Sequence, residues 1–117
     1  LPRVLVAEDH DTDFLLLNRH IKKHWPGCES ARAGSRAELE VALAKSWDLI
    51  ITDYHLLDIQ ERELLDLIAA MQPQTRCILW SGSMYELIDI DLPRNIVCKL
   101  EKGDYVGLNH ALASNWP

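Results

Sequence analysis

Three short aliphatic runs each break off at a chemically active residue, and they constrain this chain more than any other feature. Residues 3–7 (RVLVA) stop at Glu8 and Asp9, residues 48–52 (DLIIT) stop at Asp53, and residues 77–80 (CILW) stop at Ser81. Four or five aliphatic residues without polar alternation read as a strand covered on both faces. Between these runs lie segments of helical period. From Thr12 or Asp13, apolar residues recur at Phe14, Leu17, Ile21 and Trp25, and Pro26-Gly27 ends the pattern. Residues 28–33 read as a weak second strand, after which Ser35 and Glu38 form a capping-box pair for a helix to about Lys45. A helix from about Gln60 carries Leu64, Leu65, Leu67, Ile68 and Met71 and stops before Pro73. A short helix over 84–90, a break at Pro93, a fifth strand over 95–98 and a last helix over about 104–113 complete the reading.

Strands alternating with helices in this way imply an α/β fold: a doubly wound, five-stranded parallel sheet, (βα)5, with right-handed crossovers. The chain of 117 residues suits one domain, residues 1–117, and its strand-like start without a Met reads as a piece taken from a longer protein. At 48% apolar residues it has material for a real core. A formal charge of −6 argues against direct binding of nucleic acid or of an anionic membrane surface. No apolar run approaches the roughly 20 residues of a membrane span, and no signal peptide opens the chain. Cys28, Cys77 and Cys98 are odd in number and widely spaced, so they read as reduced core residues of a cytoplasmic protein.

In open parallel sheets the ligand crevice lies beyond the carboxyl ends of the strands. There this sequence places Glu8 and Asp9, Asp53, Ser81 with Gly82, and Lys102. Three carboxylates within about 5 Å of one another repel by a few kcal/mol per pair at an effective dielectric near 20. The cluster therefore calls for a cation with oxygen ligands, and Mg²⁺, which takes carboxylates, waters and substrate phosphate, is the natural choice. A carboxylate beside it can attack phosphorus while the metal, a Lys and a hydroxyl neutralise the equatorial oxygens. Asp53 is the central member and the expected nucleophile.

The residues VLVAED (4–9), DLIITDYHL (48–56), ILWSGS (78–83) and EKG (101–103) together resemble a response regulator receiver domain of two-component signalling. The resemblance spans the whole chain and rests on the order and spacing of all these segments rather than on any one. It implies that Asp53 is the phosphoacceptor, that Glu8 and Asp9 form the acidic Mg²⁺ pair, and that the backbone carbonyl of His55 is the third protein ligand. It makes Ser81 the switch hydroxyl and Lys102 the lysine that pairs with the phosphoryl group. The implied partner is a sensor histidine kinase or phosphotransfer protein, with an effector or kinase domain as a further attached unit. The implied role is a switch and not an enzyme, since phosphotransfer and slow hydrolysis are self-catalysed. Three positions depart from the family pattern: Leu57 where Pro is usual, Glu61 where a Gly usually follows, and Lys99 where the switch aromatic usually stands. Lys102 rather than Lys99 is taken as the active lysine because Asp104 then caps a helix whose inner face is Leu108, Ala111 and Leu112.

Competing readings are a phosphate-independent interaction module of the same fold and, more remotely, a Mg²⁺ phosphohydrolase resembling haloacid dehalogenases over Asp9–Asp13. In the latter, Asp13 stands where Thr or Val is usual, and no cap is present. A calcium loop opening at Asp9, Asp11 and Asp13 fails, because Phe14 and His20 occupy the positions that need Gly and Glu. His20 and His24 share a helix face but lack a third ligand and read as exposed polar residues, whereas His10 and His55 flank the acids and could govern water access. Trp80 reads as core, and Trp25, Trp47 and Trp116 as seals at element ends, Trp116 alternatively as a junction to another domain.

Overall fold

The structure, a computed structural model, describes residues 1–28 and 30–115. Trp116 and its expected sealing or junction role lie outside the described residues, as does Glu29 within the expected second strand. The chain runs β1 Val4–Ala7, α1 Asp11–His24, β2 Ser30–Ala33, α2 Arg36–Leu43, β3 Leu49–Thr52, α3 Glu61–Met71, β4 Arg76–Ser81, β5 Ile96–Glu101 and α4 Tyr105–Ser114. The strands form one parallel sheet in the order β2-β1-β3-β4-β5. The winding reverses between β1 and β3, so the crevice of this topology opens at their carboxyl ends.

Alternation along the strands divides the core into two layers. Val4 and Val6, Leu49 and Ile51, and Ile78 and Trp80 face α1 and α4, where they meet Leu17, Ile21, Leu108 and Leu112. Leu5, Ala7, Ile50 and Cys77 face α2 and α3, against Leu39, Leu43, Leu64 and Ile68. Trp80 is thus core, as its spacing implied, and Cys28 and Cys77 are buried with Cys98 half-buried. No helix of the described residues is long and apolar enough to cross a membrane.

Local chemistry explains the helix ends. Ser35 Oγ accepts from the Glu38 backbone N–H at the start of α2, while Glu38 Oε1 accepts from the Gly34 N–H. Asp104 accepts from the Gly107 N–H at 2.9 Å, and the inner face of α4 is Leu108, Ala111 and Leu112, as expected. Most other ends fall within about two residues of the sequence reading.

Two elements differ more. The expected helix over 84–90 is only a 3₁₀ turn, Met84–Leu87, so the described residues form four α-helices. Ser83 provides no side-chain cap there, and the following IDIDLP places β-branched residues and poor helix formers ahead of Pro93. Leu87 anchors the turn in the core, fully buried against Leu65 and Leu79. The fifth strand continues beyond Cys98 through Lys99, Leu100 and Glu101, because at this sheet edge the polar side chains alternate outward while the backbone still pairs with β4. His20 and His24 also depart from expectation, since both are half-buried. The His20 ring stacks on Tyr105 with centroids 3.8 Å apart, and His24 meets Trp25 edge-on.

Candidate functional site

The ladder carries on past the strands and fixes the backbone of the chemical residues. Glu8 N–H donates to Ala33 O at 3.0 Å, Asp53 N–H to Ala7 O at 2.9 Å, and Lys102 N–H to Ser81 O at 2.7 Å. Glu8 and Asp53 therefore leave the sheet side by side at the point where its winding reverses. Gly103 has φ +99°, a left-handed conformation that lets the chain turn at once from Lys102 into the cap of α4.

Lys102 Nζ is the hub of the site. It donates to Glu8 Oε1 at 2.7 Å, Asp13 Oδ2 at 2.8 Å and Asp53 Oδ2 at 2.9 Å. Glu8 and Asp53 are almost wholly buried, with residue exposures of 1% and 8%, so their solvation comes from the protein. Burial favours the neutral amine of Lys102, but its hydrogen bonds to Asp13, Glu8 and Asp53 outweigh this and raise its pKa above the ordinary amine value. Burial acts on Glu8 more strongly than the Lys102 hydrogen bond opposes it. With the charge of Asp53 added, the Glu8 carboxyl is pushed up to about 7.

The carboxylate oxygens of Glu8, Asp9 and Asp53 lie within 4.8 Å of one another, an all-oxygen donor set. That set is hard, anionic and matched to Mg²⁺. The Glu8 carboxyl is raised first by burial and then by the charge of Asp53, and a divalent cation at the cluster would oppose both.

Two contributors were not foreseen. Asp13, in the first turn of α1, supplies the third carboxylate on Lys102. Its place in the run Asp9-His10-Asp11-Thr12-Asp13 was visible, but only the register of α1 turns it to the lysine. Arg32 of β2 braces the site from behind, with Nε donating to Glu8 O at 2.9 Å, Nη1 to Asp11 Oδ1 at 2.7 Å, and its guanidinium over Phe14.

The structure does not bring Ser81 into the hydrogen-bonded cluster. The side chain is buried and its hydroxyl donates to Ser83 O at 3.1 Å, just ahead of the 3₁₀ turn. At the position of the expected switch aromatic, Lys99 Nζ donates to Leu87 O at 2.9 Å and fastens the end of that turn. His55 makes a second fastening. Its N–H donates to Asp53 Oδ1 at 3.2 Å, while Nδ1 meets Glu61 Oε1 at 2.8 Å and Nε2 meets Glu86 Oε2 at 2.8 Å. Burial disfavours the charged imidazole, but the bonds to Glu86 and Glu61 prevail and raise its pKa. Leu57, in the same loop, is 86% exposed, and His10 is exposed with Nδ1 3.7 Å from Asp13.

No family model and no curated protein matches the sequence. Solved structures, by contrast, match nearly end to end. A response regulator receiver domain from Methylobacillus flagellatus aligns at a TM-score of 0.79 with 20% identity, covering 97% of this chain and 98% of the other. The response regulator TrrA of Thermotoga maritima, in complex with Mg²⁺–BeF, aligns at 0.83 with 20% identity over 97% and 98%. TrrA in complex with the histidine kinase ThkA aligns at 0.78 with 18% identity over 100% of both chains. The fold of this chain is therefore that of response regulator receiver domains.

Proposed function

We propose that this chain is a phosphoaccepting signalling switch, in which Asp53 takes a phosphoryl group from a phosphohistidine of a sensor histidine kinase or phosphotransfer protein. The supporting observation is the convergence, on a receiver fold, of the Glu8, Asp9 and Asp53 oxygens within 4.8 Å with the Lys102 ammonium 2.9 Å from Asp53. An Asp53 oxygen attacks phosphorus. The new O–P bond forms as the P–N bond to the donor imidazole breaks, and the electron pair of that bond leaves with the imidazole. Lys102, already 2.9 Å from Asp53, pairs with the phosphoryl oxygens, and the His55 N–H orients the carboxylate from the other side. Glu8, Asp9, Asp53 and the His55 carbonyl would hold Mg²⁺, which would supply charge neutralisation at those oxygens.

On this reading the Ser81 hydroxyl takes the phosphoryl group as a new partner. Turning its hydroxyl toward the phosphoryl group abandons Ser83 and loosens the start of the Met84–Leu87 turn, a two-state shift that an output partner reads. The protein acts as a switch in the cytoplasm, with hydrolysis of the acyl phosphate as its reset. TrrA, seen both with Mg²⁺–BeF and with a kinase, is a structural precedent for this chemistry and this class of partner.

Lys99 in the relay position and Ser81 bonded away from the cluster favour a second reading, an interaction module that does not depend on phosphate. Intact mass after incubation with acetyl phosphate and Mg²⁺ separates the two. The proposed function predicts one added phosphoryl group on the parent and none on Asp53→Ala. No addition, where a control receiver labels, leaves the interaction module.

A further inference from the structure

The carbonyl assigned to the metal belongs to a residue whose side chain is gripped from outside the site. His55 meets Glu61, in the first turn of α3, through Nδ1, and Glu86, 31 residues further along the chain, through Nε2. A ring held at both nitrogens cannot turn without losing a partner, so the peptide at residue 55 is constrained from both ends. That same residue presents its N–H to Asp53 Oδ1 at 3.2 Å. The far anchor is itself secured, since Glu86 lies in the 3₁₀ turn that Leu87 roots in the core and Lys99 ties to β5 through Leu87 O. Glu61 and Lys99, two departures from the family pattern, thus serve one brace, which ties the β3–α3 loop to the β4–β5 connection.

We propose that Glu86 and Glu61, acting through the His55 ring, are positioning residues for the metal-binding loop, so that Mg²⁺ affinity depends on a turn that supplies no ligand. This rests on the Mg²⁺ site of the proposed function and extends it. The coupling is reciprocal: a cation on the His55 carbonyl steadies the Met84–Leu87 turn, and a partner that pulls Glu86 away weakens cation binding by the same factor. The brace side chains are half-exposed, which sets a modest scale, about three- to fivefold in affinity for loss of one such contact.

The test is Mg²⁺ titration by calorimetry on the whole chain, comparing the parent with Glu86→Ala and Glu86→Gln, alongside amide hydrogen exchange at His55 in EDTA. Glu86→Gln keeps an acceptor for Nε2 but removes the charge. The brace predicts that Glu86→Ala binds Mg²⁺ about three- to fivefold more weakly and exchanges the His55 amide faster, while Glu86→Gln stays near the parent in both. Parent-like affinity in Glu86→Ala overturns the proposal. Equal weakening in both variants also overturns it, because the effect is then the field of a nearby charge and not positioning. If the parent itself takes no Mg²⁺, the metal reading fails, and the exchange data alone decide whether the brace holds the loop: faster exchange in Glu86→Ala than in Glu86→Gln sustains it, and unchanged exchange refutes it.

Discussion

Replacing Lys102 by Met removes the one ammonium that three carboxylates share, at 2.7, 2.8 and 2.9 Å, while keeping the aliphatic bulk of the side chain. Two unit charges about 4 Å apart at an effective dielectric near 20 interact by about 4 kcal/mol. Removing one partner of a buried pair costs about 3–5 kcal/mol, because the other charge is left uncompensated. Two features of this site reduce that figure. Asp13 is about one-third exposed and falls back on water, and Glu8, already pushed up to about 7, escapes part of the penalty by taking up a proton. The expected loss at neutral pH in EDTA is therefore about 2 kcal/mol, read as a lowered urea midpoint with an unchanged slope. Millimolar Mg²⁺ should restore more stability to the variant than it adds to the parent, because the cation stands in for the missing ammonium. The loss should also shrink on acidification as Glu8 takes up a proton. A change below about 0.5 kcal/mol in EDTA would show that water, not Lys102, solvates these acids, and the charge argument would fail.

Three other outcomes follow from the same geometry. Asp53→Asn, which removes one charge from a crowded acidic cluster, should gain about 1 kcal/mol in EDTA and lose its response to Mg²⁺, and a clearly lower melting temperature would make Asp53 structural. Glu8 has a folded pKa near 7 against an ordinary value of 4.5, so between these the native state binds the extra proton. Metal-free stability should accordingly fall as pH rises through that window; Glu8→Gln should flatten the slope, and an unaltered slope refutes the assignment. Asp104→Ala removes the N-cap of α4 and should cost about 1 kcal/mol, with denaturant titration showing no change if the cap is unimportant.

The strands were legible because uninterrupted runs such as LIIT and VLVA have one economical home, the middle of a parallel sheet. Once the sheet is granted, its topology alone puts Glu8, Asp9 and Asp53 together, and Lys102 follows from the Asp104 cap that fixes where α4 begins. What sequence could not supply depends on direction rather than position. The register of α1 decides that Asp13 reaches Lys102, and the rotamer of Ser81 decides that its hydroxyl serves Ser83. The absence of an α-helix over 84–90 had a signal in Asp89, Asp91 and Pro93, set against the apolar pattern of Leu87, Ile88 and Ile90. Its consequence was hidden. A short turn needs fastening, and Lys99 and Glu86 provide that fastening from positions that otherwise look like surface charge.

The most direct test of the central claim asks where the phosphoryl group goes. An acyl phosphate on Asp53 is reduced by borohydride to homoserine, so peptide mapping after acetyl phosphate, Mg²⁺ and borohydride reads the acceptor residue by residue. The account predicts homoserine at position 53 alone, dependent on both donor and Mg²⁺. Homoserine at another acid, or none while a control receiver is converted, would contradict it.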